Sequence, residues 1–88
     1  MTINIKDLKN KIIYRANYRG TKEMDKLLGS FAKKYIDQLL YDELMLLCDL
    51  LDLDDEILYK LNQGLEITIK IKSNNVTELF KNYNYVSG

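Results

Sequence analysis

The residues best placed to do chemistry lie in one short stretch, Tyr18-Arg19-Gly20-Thr21-Lys22-Glu23-Met24-Asp25. Arg19 offers a planar fork of N–H donors that suits a carboxylate or a carbonyl, and Glu23 offers an acceptor beside it. Gly20 lets a backbone come close to another surface. This is recognition chemistry rather than bond-making chemistry. The chain has no histidine, which removes the commonest base, triad member and metal ligand. Gly20, Gly29, Gly64 and Gly88 are too scattered to cradle a phosphate. Cys48 is the only cysteine, so an internal disulfide is excluded. It sits among Leu44, Leu47 and Leu51 beside Asp49, which reads as a small core hydrophobe with a disfavoured thiolate. An enzyme is the least favoured class, and no catalytic, cofactor-binding or metal-binding residue is assigned.

The corner residues need two helices to hold them. Ile5, Leu8, Ile12 and Ala16 recur at steps of three and four and predict a first helix from about Ile3 to Tyr18. Met24, Leu27, Leu28, Phe31, Ala32 and Tyr35 form the cleanest stripe in the sequence and predict a second helix with one apolar face. Between them, Arg19 falls in the last turn of the first helix, where a cation is favourable, and Gly20 suits a left-handed closing position. Thr21 is placed to cap the second helix, with Glu23 and Asp25 in its first turns. Local structure alone accounts for every residue of the corner.

Leu40, Leu44, Leu47, Cys48 and Leu51 give a third stripe, widened by Leu39, Met45, Leu46 and Leu50. A helix apolar over most of its girth belongs in the middle of a bundle. Asp52 or Asp54 can cap a short fourth helix carrying Ile57, Leu58 and Leu61, closed by Gly64. Leu65 to Lys72 alternate apolar and polar, a strand pattern. A lone strand has no partner in such a chain, so this segment is expected as an extended or irregular link laid on the bundle. Asn74 or Asn75 can cap a last helix holding Val76, Leu79, Phe80 and Tyr83, after which the final residues fray. The expected architecture is an all-α, compact bundle of about five short helices in one domain, 1–88.

Composition sets further bounds. Nearly half of the 88 residues are apolar and under a third are charged, an ordinary globular balance. The longest apolar run, Leu44 to Cys48, is too short to cross a bilayer, and the N-terminus has no signal-peptide core. A cytoplasmic protein is expected, and abundant Lys, Asn, Ile and Tyr hint at an AT-rich bacterial genome. Net charge is zero but unevenly laid out. Residues 1–36 hold nine basic side chains against three acids, and residues 37–88 hold ten acids against four lysines. Such polarity along a chain biases how a charged partner approaches.

The Arg-Gly-x-x-Glu pattern of Arg19, Gly20 and Glu23, followed by Asp25 and Leu28 and then Phe31, resembles the SdhE family. Leu39 with Asp42-Glu43, and Leu50-Leu51 with the acidic Asp52 to Asp55, extend the similarity over most of the chain. Members of that family are FAD assembly factors of succinate dehydrogenase and fumarate reductase. The resemblance implies a helical bundle that binds the flavoprotein subunit and assists covalent attachment of FAD to a histidine of that subunit. It implies Arg19, Gly20 and Glu23 as partner-binding residues, with Asp25 a weaker member. It also implies that the FAD is carried by the partner and that the chain binds no cofactor itself; a monomer is expected for the free chain, though the residues alone do not fix the oligomeric state.

Two departures stand out. The family's fourth-helix aromatic pair includes Trp, and this chain has none. Tyr59 is the nearest equivalent, with Leu61 in the Trp space. The residue before Arg19, often a second arginine in the family, is Tyr18 here. Two other classes compete. A small nucleic-acid-binding module would use the basic first half, but Glu23 and Asp25 stand where a recognition helix would meet bases, and the overall charge is zero. A generic protein-interaction bundle is the third reading.

Overall fold

A computed structural model describes residues 4–84, which form five helices. Helix α1 spans Ile5–Asn17 and is capped by Asn4, whose side chain accepts from the Lys6 backbone N–H at 2.8 Å. Leu8, Ile12 and Ala16, one turn apart, are its buried residues. Ile5 belongs to the same sequence stripe, yet it is exposed at the first position of the helix. The expected start at Ile3 and the expected fraying of the last residues, 85–88, lie outside the described residues.

Helix α2, Lys22–Tyr35, starts at Thr21, whose hydroxyl accepts from the Met24 N–H at 3.2 Å. Glu23 and Asp25 occupy its first turn and Lys33 and Lys34 its last, each sign at the end the helix dipole favours. Met24, Leu27, Leu28, Phe31 and Ala32 are buried as the stripe requires, and Tyr35 packs half-buried against them. Gly29 lies among them, and a Cβ there would meet Asn17 Oδ1 at 2.3 Å. A side chain there would have to displace the exposed Asn17 amide, whereas the nearest backbone atom, the Ala16 carbonyl oxygen, lies at an ordinary 3.8 Å.

Helix α3, Tyr41–Leu51, has no side-chain cap, since Leu40 offers no acceptor. Glu43 supplies half of a capping box instead, accepting from the Leu40 N–H at 2.9 Å. The helix packs on both α1 and α5, the inner position its composition predicts. It is not buried all round, however. Leu44, Leu47, Leu50 and Leu51 face the core, whereas Met45 is exposed and Leu46 is half-buried. In a bundle of this size no layer remains to cover the outer side.

Helix α4, Asp55–Gln63, is preceded by Asp54, while Asp52 closes α3. Gly64 takes the left-handed conformation at φ 72°, and the Leu65 N–H then reaches the Lys60 carbonyl at 2.9 Å. Residues 65–74 contain no strand and run as an irregular link. Ile67 and Ile71 lie on the core, but Leu65 and Ile69 are exposed. A bend at 68–69 breaks the alternation, so only every second apolar residue turns inward.

Helix α5, Asn75–Lys81, begins with a reciprocal cap. Asn74 Oδ1 accepts from the Thr77 N–H at 2.9 Å, and Thr77 Oγ1 accepts from the Asn74 N–H at 2.8 Å. Its other end is tied to α4 by Asn62, whose amide donates to the carbonyls of Phe80 and Tyr83 at 2.9 and 2.8 Å. The Phe31 ring, fully buried on α2, meets those of Phe80 and Tyr83 edge-on at 5.1 and 5.3 Å. The Tyr83 hydroxyl donates to Ser30 Oγ at 2.8 Å. These contacts fasten the last helix across the bundle to the helix that begins at the corner.

Candidate partner-binding site

The corner between α1 and α2 is built around Arg19. The residue does not sit in the last turn of α1, as sequence spacing suggests, but two positions beyond it. Its cation accordingly serves a different helix end. Nη1 donates to the Leu51 carbonyl at 2.5 Å, Nη2 to the Leu53 carbonyl at 2.6 Å, and Nε to Asp55 Oδ1 at 2.9 Å. Leu51 is the last residue of α3, so its carbonyl has no partner within the helix. Asp55 opens α4. The guanidinium thus joins the negative end of one helix to a carboxylate at the start of the next, and only 11 % of the side chain is exposed.

Asp25 completes the corner from the other side. One carboxylate oxygen, Oδ1, accepts from the backbone N–H of both Arg19 and Gly20. The bend that follows needs Gly20 at φ 115°, a conformation that a side chain strongly disfavours. Gly20, Thr21, Lys22 and Glu23 are all exposed. The structure therefore brings Arg19, Gly20 and Asp25 together through hydrogen bonds and leaves Glu23 on the outer rim, free of any ion pair among the described residues.

A groove of about 330 Å³ opens beside Glu23, with Met24, Leu27 and Tyr59 along it and Asn62 and Gln63 at its edge. Tyr59 is thus half-exposed at the rim of the corner, whereas Leu61 is in the core. Two features of this region lie beyond the residues that the sequence pattern singles out. Arg15, one turn before Arg19, pairs with Asp52 and ties α1 to the same α3–α4 joint. Tyr14 and Tyr18 stack on the outside of α1. Arg15 and Arg19, four apart and facing an acidic run at 52–56, were the available signal for the joint. Cys48 stays outside this site. It is half-buried, and burial pushes its thiol pKa up; Asp49 and Asp52 add to that while Arg15 opposes it.

The family model for the flavinator of succinate dehydrogenase, Sdh5, matches residues 10–84. The chain belongs to that family. No significant match was found among the curated proteins or among the solved structures. The flavinator match takes in the corner and reaches from the second turn of α1 to beyond the end of α5. It agrees with the resemblance carried by Arg19, Gly20 and Glu23. Flavinators are assembly factors that serve the flavoprotein of succinate dehydrogenase. No helix among the described residues is long and apolar enough to cross a membrane.

Proposed function

We propose that the chain binds the flavoprotein subunit of succinate dehydrogenase and promotes covalent attachment of FAD to it without contributing a catalytic group. The observation that carries this reading is the flavinator match across residues 10–84, which takes in the corner that holds Arg19, Gly20 and Glu23. Within that motif the roles divide. Arg19 and Asp25 act as positioning residues that fix the corner, and Gly20 and Glu23 meet the partner. The alternative client is the flavoprotein subunit of fumarate reductase.

Binding alone is sufficient for acceleration. A partner held with its FAD and receiving histidine aligned gains ~7–11 kcal/mol of barrier reduction in favourable systems. The chain needs neither a base nor a bound flavin for this, because FAD stays with the partner. It acts as a free monomer in the cytoplasm until it docks.

Glu23→Gln tests the division of roles. Glu23 is exposed and outside every ion pair among the described residues, so the variant loses only its favourable charge at the start of α2 and should melt within about 5 °C of the parent protein. Its flavinylation rate, followed by covalent flavin fluorescence of the flavoprotein subunit at limiting concentration, should fall by about tenfold or more. An unchanged rate would remove Glu23 from the partner-binding surface.

A further inference from the structure

The outer face of α1 carries Asp7, Lys11 and Tyr14 at steps of four and three, away from Leu8, Ile12 and Ala16, and Tyr18, the residue that closes the helix, follows four positions after Tyr14. Tyr14 is 66 % and Tyr18 70 % exposed, the two most exposed aromatic residues described. They nonetheless rest on each other, with ring centroids 4.7 Å apart and planes inclined at 36°. Neither hydroxyl has a hydrogen-bond partner among the described residues. The fold makes no use of these rings. Resting on each other, they present a broad apolar surface.

Tyr18 is joined directly to Arg19, so the pair runs into the Gly20–Glu23 rim without a break. Lys11 on the same stripe and Lys22 in the corner make no ion pair among the described residues. Asp7, one turn before Lys11 on the same face, and Glu23 on the rim are exposed and unpaired in the same way, so the apolar pair is bordered by charges of both signs. We infer that Tyr14 and Tyr18 are the apolar anchor of the docking surface for the flavoprotein subunit, continuous with the Gly20–Glu23 rim and received by an apolar recess of that subunit. This inference rests on the flavinator reading and adds to it a contact outside the Arg-Gly-x-x-Glu motif. Tyrosine is among the residues that most often dominate such interfaces.

The test is binding of the full chain to purified flavoprotein subunit by titration calorimetry. Tyr14→Ser/Tyr18→Ser should raise the dissociation constant at least about 20-fold, the expected result of losing two central anchors. Tyr41→Ser, an exposed tyrosine at the start of α3, should change it less than about threefold. Both variants should melt close to the parent protein. Unchanged affinity in the double variant overturns the anchor; if Glu23→Gln still weakens the complex, the flavinator reading survives. A double variant that loses only self-association, or only binding to single-stranded RNA, also overturns it, in favour of a second copy or a nucleic-acid base stack. Failure of the parent chain to bind the subunit overturns both readings together.

Discussion

Arg19→Ala should cost about 3 kcal/mol of folding stability, before any effect on a partner is considered. Three donors are removed at once. The Leu51 and Leu53 carbonyls lose hydrogen bonds to a charged group, each worth roughly 1.5–3 kcal/mol. Asp55 loses its cation, but 32 % of its side chain reaches solvent, so water offsets part of that loss. For a domain of 88 residues, whose total stability is of the order of 4–13 kcal/mol, the change is large. It should lower Tm by about 15 °C. Arg19→Lys should recover less than half of the loss, because an ammonium cannot reach two carbonyls and a carboxylate with a planar fork. Urea titration followed by circular dichroism measures both, and a midpoint for Arg19→Ala equal to that of the parent protein would refute the staple. One consequence bears on function. A failure of Arg19→Ala to support flavinylation reports on the corner's integrity as much as on a partner contact, which is why Glu23 is the cleaner probe of the latter.

Phe31→Ala should cost about 4 kcal/mol, the larger of the two effects. Phe31 is fully buried, and its ring meets Tyr35, Phe80 and Tyr83 at centroid distances of 5.1, 5.1 and 5.3 Å. Truncation loses the transfer energy of the ring and leaves a cavity that its three aromatic neighbours cannot close; Phe→Ala changes in cores cost roughly 3–5 kcal/mol. The damage should concentrate on α5, which has only 7 residues and too little length to hold its own backbone bonds. Amide exchange should show α5 losing protection before α1 and α2 do. Phe31→Leu should cost about 1.5 kcal/mol, since most of the volume remains. A loss below about 1 kcal/mol for Phe31→Ala would mean that the aromatic cluster does not bind α5 to the bundle.

How much of this could be read in the sequence depends on the range of the interaction concerned. The helices were legible because each carries a local pattern: the Met24 to Tyr35 stripe, the Thr21 and Asn74 caps and the Gly64 stop all act within a turn or two. Ile5 and Met45 were misread as core because periodicity assigns a face to a residue but does not say whether another element covers it. The 65–72 alternation called for a strand, and the absence of any neighbouring strand correctly argued for a link. Which of its apolar residues turn inward depended on a bend that the pattern does not encode. Arg19 shows the same limit within the site. Its residue type pointed to a carboxylate or carbonyl partner, but two of its three partners are backbone carbonyls, and every residue has one of those. The Tyr14–Tyr18 pair was four apart and readable as a helical pair, yet its exposure follows only from where α1 lies on the bundle.

The central claim is tested most directly by covalent flavin on the flavoprotein subunit of succinate dehydrogenase, read as in-gel fluorescence after denaturation. The subunit is produced with FAD present, once with this chain and once without. A fluorescent band that appears with the chain, and is at least about tenfold weaker without it, is the predicted result. A band equally bright in both samples would contradict the account, leaving a helical bundle whose flavinator fold is not used for flavinylation.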